Sequence, residues 1–212
     1  MKKQIGNYGD KTTFGGRSHR RALIREEAAK VFADRGYNGS SLQEVADAMG
    51  FTKAAVYYYY PSKEALLFDI LSYADDQIMA VLDTEIARRG AALEQVERIV
   101  SAHVAWYLLH PNVAKVVFRD WSELSGEWLR IQVARRRRYS HLLREAIERC
   151  ATEGFLPDGA PITLMTNFIN GAVAATNFWF DASGQESADA VASAFGKLAA
   201  AVLSGTAHAS IP

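Results

Sequence analysis

Cysteine is nearly absent from this chain. Cys150 is the only one, so no disulfide can form within a single copy and a small disulfide scaffold is excluded. A lone thiol suits a reducing compartment, which makes the cytoplasm the expected location. Proline is scarce too, five among 212 residues. Net charge is lacking as well: 24 Lys+Arg balance 24 Asp+Glu, and with 49% hydrophobic and 23% charged residues global disorder is excluded. The five histidines, His19, His103, His110, His141 and His208, show no short metal-ligand spacing, and no nucleophile motif surrounds Cys150. A phosphate loop and a dinucleotide fingerprint are also missing. No catalytic residue, metal ligand or cofactor is therefore assigned, and an enzyme is the disfavoured class. Lys2 and Lys3 are followed by no apolar run, so a secretory signal is not expected. The longest charge-free stretch, 159–180, approaches the length of a membrane helix. It carries Thr163, Thr166, Asn167, Asn170, Thr176 and Asn177, polar groups that hydrocarbon penalises. The expectation is a buried helix in a soluble protein, with no membrane partner.

What is present is uneven. Residues 1–64 hold 11 Lys+Arg against 7 Asp+Glu, a net of +4, and residues 65–212 hold 13 against 17, a net of −4. A small basic module followed by a larger acidic one suits a polyanion reader joined to a part that avoids polyanions. Hydrophobic periodicity is helical throughout, with no sustained strand-like alternation, so the chain reads as all-α with about nine helices. Residues 1–17, rich in glycine, read as a flexible arm whose Lys2, Lys3, Lys11 and Arg17 are within reach of phosphate. Residues 18–64 read as three short helices. The first carries Leu23, Ile24, Ala28, Val31 and Phe32 and stops at Gly36; the second starts at a Ser41/Glu44 capping box; the third follows Gly50 and a Thr52 cap. Residues 65–212 follow as the larger unit, with helices at about 93–109, 113–124, 127–153, 161–180 and 188–203 after a long fourth helix that starts at Ser62.

A short helix, a glycine turn and a second short helix form the pattern in which the second helix enters the major groove of DNA. Residues 41–67, SLQEVADAMGFTKAAVYYYYPSKEALL, resemble the N-terminal DNA-binding module of the TetR family of bacterial transcriptional regulators. The preceding helix, with Phe32, Arg35, Gly36 and Tyr37, fits the same pattern. The resemblance implies an N-terminal three-helix DNA-binding domain, then a helical ligand-binding and dimerisation domain. Double-stranded DNA, a small-molecule effector and a second copy of the chain are the implied partners. Lys53 stands where a long donor reaches guanine or phosphate, Gln43 can bond a base edge, and Thr52 caps the reading helix. Ala54 and Ala55 are small enough to let that helix approach the groove floor and to meet thymine methyls. Tyr57, Tyr58 and Lys63 resemble the family's phosphate contacts. Tyr59 and Tyr60 are expected in the core, and the Tyr60 hydroxyl then needs a partner or an exit to water.

In the larger unit the charge-free helix at 161–180 is expected to be covered on both faces, by a cavity on one side and a partner subunit on the other. Ala190, Ala194 and Ala201 of the last helix suit close approach in a symmetric four-helix contact. The expected ligand contacts are Trp106, Phe118, Trp121, Arg135, Arg138, Asn170 and Trp179. The run Arg135 to Arg138 cannot face one pocket, because successive helix positions point about 100° apart. FRDWSEL at 118–124, EGFLP at 153–157 and Asn170-Gly171 resemble TetR-type regulators that sense acyl-coenzyme A thioesters. That resemblance implies a thioester effector; a hydrophobic drug-like or aromatic compound stays open beside it. The function implied is a ligand-responsive repressor released from a palindromic operator, with the fourth helix as lever. A helical protein that binds DNA without operator choice is the competing class.

Overall fold

A computed structural model describes residues 13–205; Lys2, Lys3, Lys11 and His208 lie outside the described residues. The described residues form nine α-helices and no strands. They are α1 (Thr13–Arg35), α2 (Leu42–Ala48), α3 (Lys53–Tyr59), α4 (Lys63–Ala87), α5 (Ala92–Leu109), α6 (Pro111–Arg119), α7 (Gly126–Thr152), α8 (Ile162–Trp179) and α9 (Ala188–Leu203), with one 3₁₀ turn at Trp121–Glu123. Two boundaries differ from expectation. Helix α1 starts at Thr13, so residues 13–17, expected in the arm, are helical. The sixth helix stops at Arg119 instead of running to 124, because the buried Asp120 turns its carboxylate back to the Arg119 guanidinium (Nε to Oδ1, 2.8 Å) and the chain tightens into the 3₁₀ turn.

Local signals set the first three helices. Gly36, at φ +79, ends α1 in the left-handed region that other residues enter at a cost. Ser41 accepts from the Glu44 amide at 3.3 Å and donates its hydroxyl to the Glu44 carboxylate at 3.0 Å, and the backbone N–H of Ser41 donates to that carboxylate as well, completing the capping box. Gly50, at φ +66, makes the α2–α3 turn, and Thr52 accepts from the Ala55 amide at 3.2 Å. Ile24, Phe32, Val45, Val56 and Tyr60 are buried beneath these helices. The Tyr60 hydroxyl lies 2.7 Å from Asp69 Oδ2 and 3.1 Å from the Arg21 carbonyl, while Asp69 also pairs with Arg21 and Arg25. One partly buried network therefore joins α1 and α3 to α4.

Helix α4 is the spine. It packs on α1 near its start and on α5, α6 and α7 further along. Near its start, Glu64 accepts from the Ser125 amide and hydroxyl at 2.7 and 2.8 Å, satisfying the N-terminus of α7. Helix α9 lies along α5 and buries Ala192, Gly196, Ala199 and Leu203. A Cβ at position 196 would come within 2.0 Å of Ser101 Oγ and 2.5 Å of the Glu97 carbonyl, so glycine is what permits that approach. The small residues expected to serve a partner, Ala190 and Ala194, lie on the opposite, exposed side, and Ala201 is half-buried. Among the described residues no helix is long and apolar enough to cross a membrane.

Candidate nucleic-acid interface and cavity

Helix α3 buries Val56 and turns Lys53, Ala54, Tyr57 and Tyr58 outward, with Ala55 half-covered. Tyr57 and Tyr58 are 44% and 65% exposed, which is unusual for aromatics unless a partner covers them. The Lys53 ammonium rests 5.7 Å from the Tyr57 ring centre, and the Arg17 guanidinium 5.2 Å from that of Tyr58. Arg20 sits over Phe51 at 5.3 Å, so the start of α1 adds cations beside the reading helix. Arg17 was expected within reach of phosphate from a flexible arm; the structure places it on α1 instead. Gln43 is exposed on α2 with its amide 2.6 Å from Asp47. Thr52 spends its side-chain oxygen on the α3 cap. Lys63 departs most from expectation. Its ammonium donates to the carbonyls of Tyr37 at 2.7 Å and Ser40 at 2.9 Å, and lies 4.2 Å from the Tyr37 ring centre. Two of its three protons fasten the α1–α2 loop, leaving one for a phosphate.

A cavity of about 560 Å³ lies between α4, α5, α6, α7 and α8. Ile78, His103, Tyr107, Val117 and Val173 are its buried lining, and Asp76, Asp83 and Arg138 stand exposed at its rim. Of the seven expected ligand residues, Phe118, Arg135, Arg138 and Asn170 line it. Three do not. Trp106 is buried and stacks on His110 at 4.3 Å, packing the α5–α6 turn. Trp121 lies beneath the Arg136 guanidinium at 4.7 Å and supports that rim cation from outside. Trp179 stacks on Phe195 at 5.9 Å and stays 53% exposed at the end of α8. Apolar bulk alone did not separate these packing aromatics from lining ones.

His103 was missed as a lining residue because the histidines were weighed only as metal ligands. His103 and Tyr107 sit four apart on α5, a spacing that shares one helix face. Burial pushes His103 down to about 3, so its ring is neutral, and burial raises Tyr139 above the ordinary tyrosine range, so its hydroxyl keeps its proton. That hydroxyl lies 2.5 Å from His103 Nδ1 and meets no other hydrogen-bond partner among the described residues. Donation from that hydroxyl to Nδ1 is the arrangement that uses its proton, and it places the ring hydrogen on Nε2. Asp75 is pushed up to about 6 by burial, with Gln132, Arg135 and Arg136 opposing the shift and Asp76 adding to it. Arg135 is held by Asp76 at 3.1 Å and the Ser72 carbonyl at 3.2 Å, whereas Arg138 makes no hydrogen bond or ion pair among the described residues.

The cavity reaches the DNA-facing part through α6. Val117 and Phe118 line it. The next residue, Arg119, donates to the carbonyl of Phe32 and, at 3.3 Å, to that of Ala33, at the end of α1. Cys150 is buried, and burial, with the Glu153 charge adding, raises its pKa to about 11, so its thiol is inert at neutral pH. Among the described residues no three His, Cys, Asp or Glu side chains gather as a metal site would require.

A helix-turn-helix with exposed cations and tyrosines, joined to a helical unit around a polar-lined cavity, defines a DNA-binding regulator of the effector-sensing kind. Residues 24–70 match the family of bacterial regulatory proteins of the tetR type, and residues 89–203 match the tetracyclin repressor-like C-terminal domain. The chain belongs to the TetR family of transcriptional regulators. It is 25% identical over 189 residues to the helix-turn-helix transcriptional repressor KstR2 of Rhodococcus jostii, covering 84% of this chain and 87% of that protein. A shorter match, 51% over 55 residues, links it to the regulator YuxN of Bacillus subtilis and spans 26% of this chain but only 19% of YuxN. The solved structure of AibR in complex with isovaleryl coenzyme A and operator DNA superposes with a TM-score of 0.75 at 26% identity, covering 84% of this chain and 97% of that one.

Proposed function

We propose that this chain is a homodimeric repressor that leaves its operator when an acyl-coenzyme A thioester enters the cavity. The carrying observation is that one short helix serves both sites: α6 lines the cavity with Val117 and Phe118, and its Arg119 holds the end of α1. A ligand that moves α6 moves the frame on which α3 is mounted. Helix α4, expected as the lever, shares that task, since it packs on α1, α6 and α7. In this reading Gln43, Thr52, Lys53, Ala54, Ala55, Tyr57, Tyr58 and Lys63, with Arg17 and Arg20, meet DNA. Phe118, Arg135, Arg138 and Asn170 meet the effector.

The thioester is favoured over a wholly hydrophobic compound by the free Arg138 and the Trp121-backed Arg136 at the cavity lining, which suit phosphates of the coenzyme. AibR, seen with such a thioester and with operator DNA, supports it by likeness. Dimerisation is supported by Leu164, Phe168, Phe178 and Trp179 of α8 and Leu198 of α9. These are exposed side chains on helices whose other faces are buried in the chain. A two-fold axis through that face sets two α3 helices toward successive major grooves. Residues 18–64 and 65–212 divide the work, with α4 common to both.

The test is competition at fixed salt between the chain's own upstream intergenic duplex and a random duplex of equal length. The expected result is a preference of on the order of 10³-fold, with two protomers per site. Equal affinity for both duplexes would leave DNA binding without operator choice.

A further inference from the structure

Three polar atoms in this cavity's lining residues have no hydrogen-bond partner: His103 Nε2, Asn170 Oδ1 and Asp75 Oδ2. His103 is 4% exposed, and its other nitrogen is taken by Tyr139. Asn170 has committed its amide nitrogen to Ser140 at 3.4 Å, which leaves its oxygen as the free group. Around them stand Ile78, Val117, Phe118 and Val173. A buried polar group without a partner is costly, and a hydrocarbon that filled this space would leave His103 Nε2 and Asn170 Oδ1 unpaired, whereas Asp75 Oδ2 keeps the Arg135 guanidinium at 4.0 Å.

Resting on the reading of this cavity as the effector site, we propose that its buried end recognises a neutral oxygen function, a carbonyl or hydroxyl on an otherwise apolar skeleton, through the Nε2–H of His103. A carbonyl oxygen accepts from Nε2; a hydroxyl accepts there and has a hydrogen left for the oxygen of Asn170 or Asp75. Charged groups fit less well. A carboxylate would face a neutral ring and the Asp75 carboxyl, and an ammonium would share the lining with Arg135, Arg136 and Arg138. The effector's acyl part therefore carries oxygen at the end remote from the charged rim, and specificity among effectors resides in that end.

The test uses the full chain without DNA and two probes of the same skeleton, 1-tetralone and tetralin, with affinities read by calorimetry. Wild type is expected to bind tetralone about tenfold more tightly, the worth of one hydrogen bond to an otherwise unpaired group. In His103→Phe, with helix content and denaturation midpoint measured alongside, the preference is expected to vanish while tetralin still binds. A second measurement needs no variant: with ring-15N histidine, Nε2 carries the proton in the free protein, and its proton resonance moves downfield with tetralone but not with tetralin. Equal affinities in wild type, an undiminished preference in His103→Phe, or an unprotonated Nε2 would overturn this inference and leave the cavity as effector site. Binding of neither probe would overturn this inference, and the reading of the cavity as effector site falls separately if an acyl-coenzyme A thioester does not bind either.

Discussion

Lys53 and Lys63 carry the same charge in different surroundings. Lys53 stands free on the exposed side of α3, so Lys53→Ala is expected to change which operator bases are preferred, at about 1–3 kcal/mol for the affected position, while leaving the fold intact. Lys63 holds two backbone carbonyls, so Lys63→Met is expected to lower stability by about 1–3 kcal/mol and to weaken binding to every sequence. Melting curves beside a base-substituted operator series separate the two; a Lys63→Met protein as stable as wild type contradicts the assignment. The cavity's ionisable pair gives a pH test. Asp75 is raised from 3.8 to about 6, so the folded state holds its proton longer and stability falls as pH rises through that window. Asp75→Asn is then expected to be more stable than wild type above pH 6, by up to about 3 kcal/mol, the difference fading toward pH 4. His103 acts in the opposite sense. Its depression from 6.5 to about 3 gives stability that is complete above pH 6.5 and is lost as pH falls toward 3. Denaturant midpoints across pH 3–8 check both; a pH-independent Asp75→Asn difference contradicts the first. Residue types were legible in the sequence where one residue states its own need, as Tyr60 did for a hydroxyl partner. The partner, Asp69, was not, because only the crossing of α1, α3 and α4 brings it there.

Helices were legible as elements because apolar periodicity and caps are local, and the second, third and fourth helices fall where Ser41, Thr52 and Ser62 cap them. Orientation was less legible. The charge-free α8 promised two covered faces without saying which side took which neighbour. In the fold Thr166, Ile169, Val173 and Thr176 turn inward, and Leu164 and Phe168 turn out. Helix α9 was read from its alanines, yet its tightest contact is made by Gly196 against α5. Gly196→Val is expected to destabilise the chain by at least about 1–3 kcal/mol, because the helices must separate to admit a side chain. Thermal denaturation checks it, and an unchanged midpoint contradicts the α5–α9 packing described.

At the scale of the whole molecule, the basic N-terminal part and the acidic remainder meet through α4 and α6, the framework on which the proposed effector and DNA would both act. The exposed apolar side chains of α8 and α9 are where the proposed dimer contact is tested. Phe168→Glu is expected to give monomers in sedimentation velocity with helix content retained, and to lower operator affinity by on the order of 10²-fold as the two half-sites lose their connection. A dimeric Phe168→Glu protein would remove α8 from the interface. The most direct test of the account is the linkage itself: operator affinity followed by fluorescence anisotropy at fixed salt as an acyl-coenzyme A thioester is raised to saturation, with the free acid as control. The account predicts that the operator dissociation constant climbs to a plateau, by the same factor that operator DNA weakens the thioester. An operator affinity unchanged while the thioester saturates the cavity would contradict it.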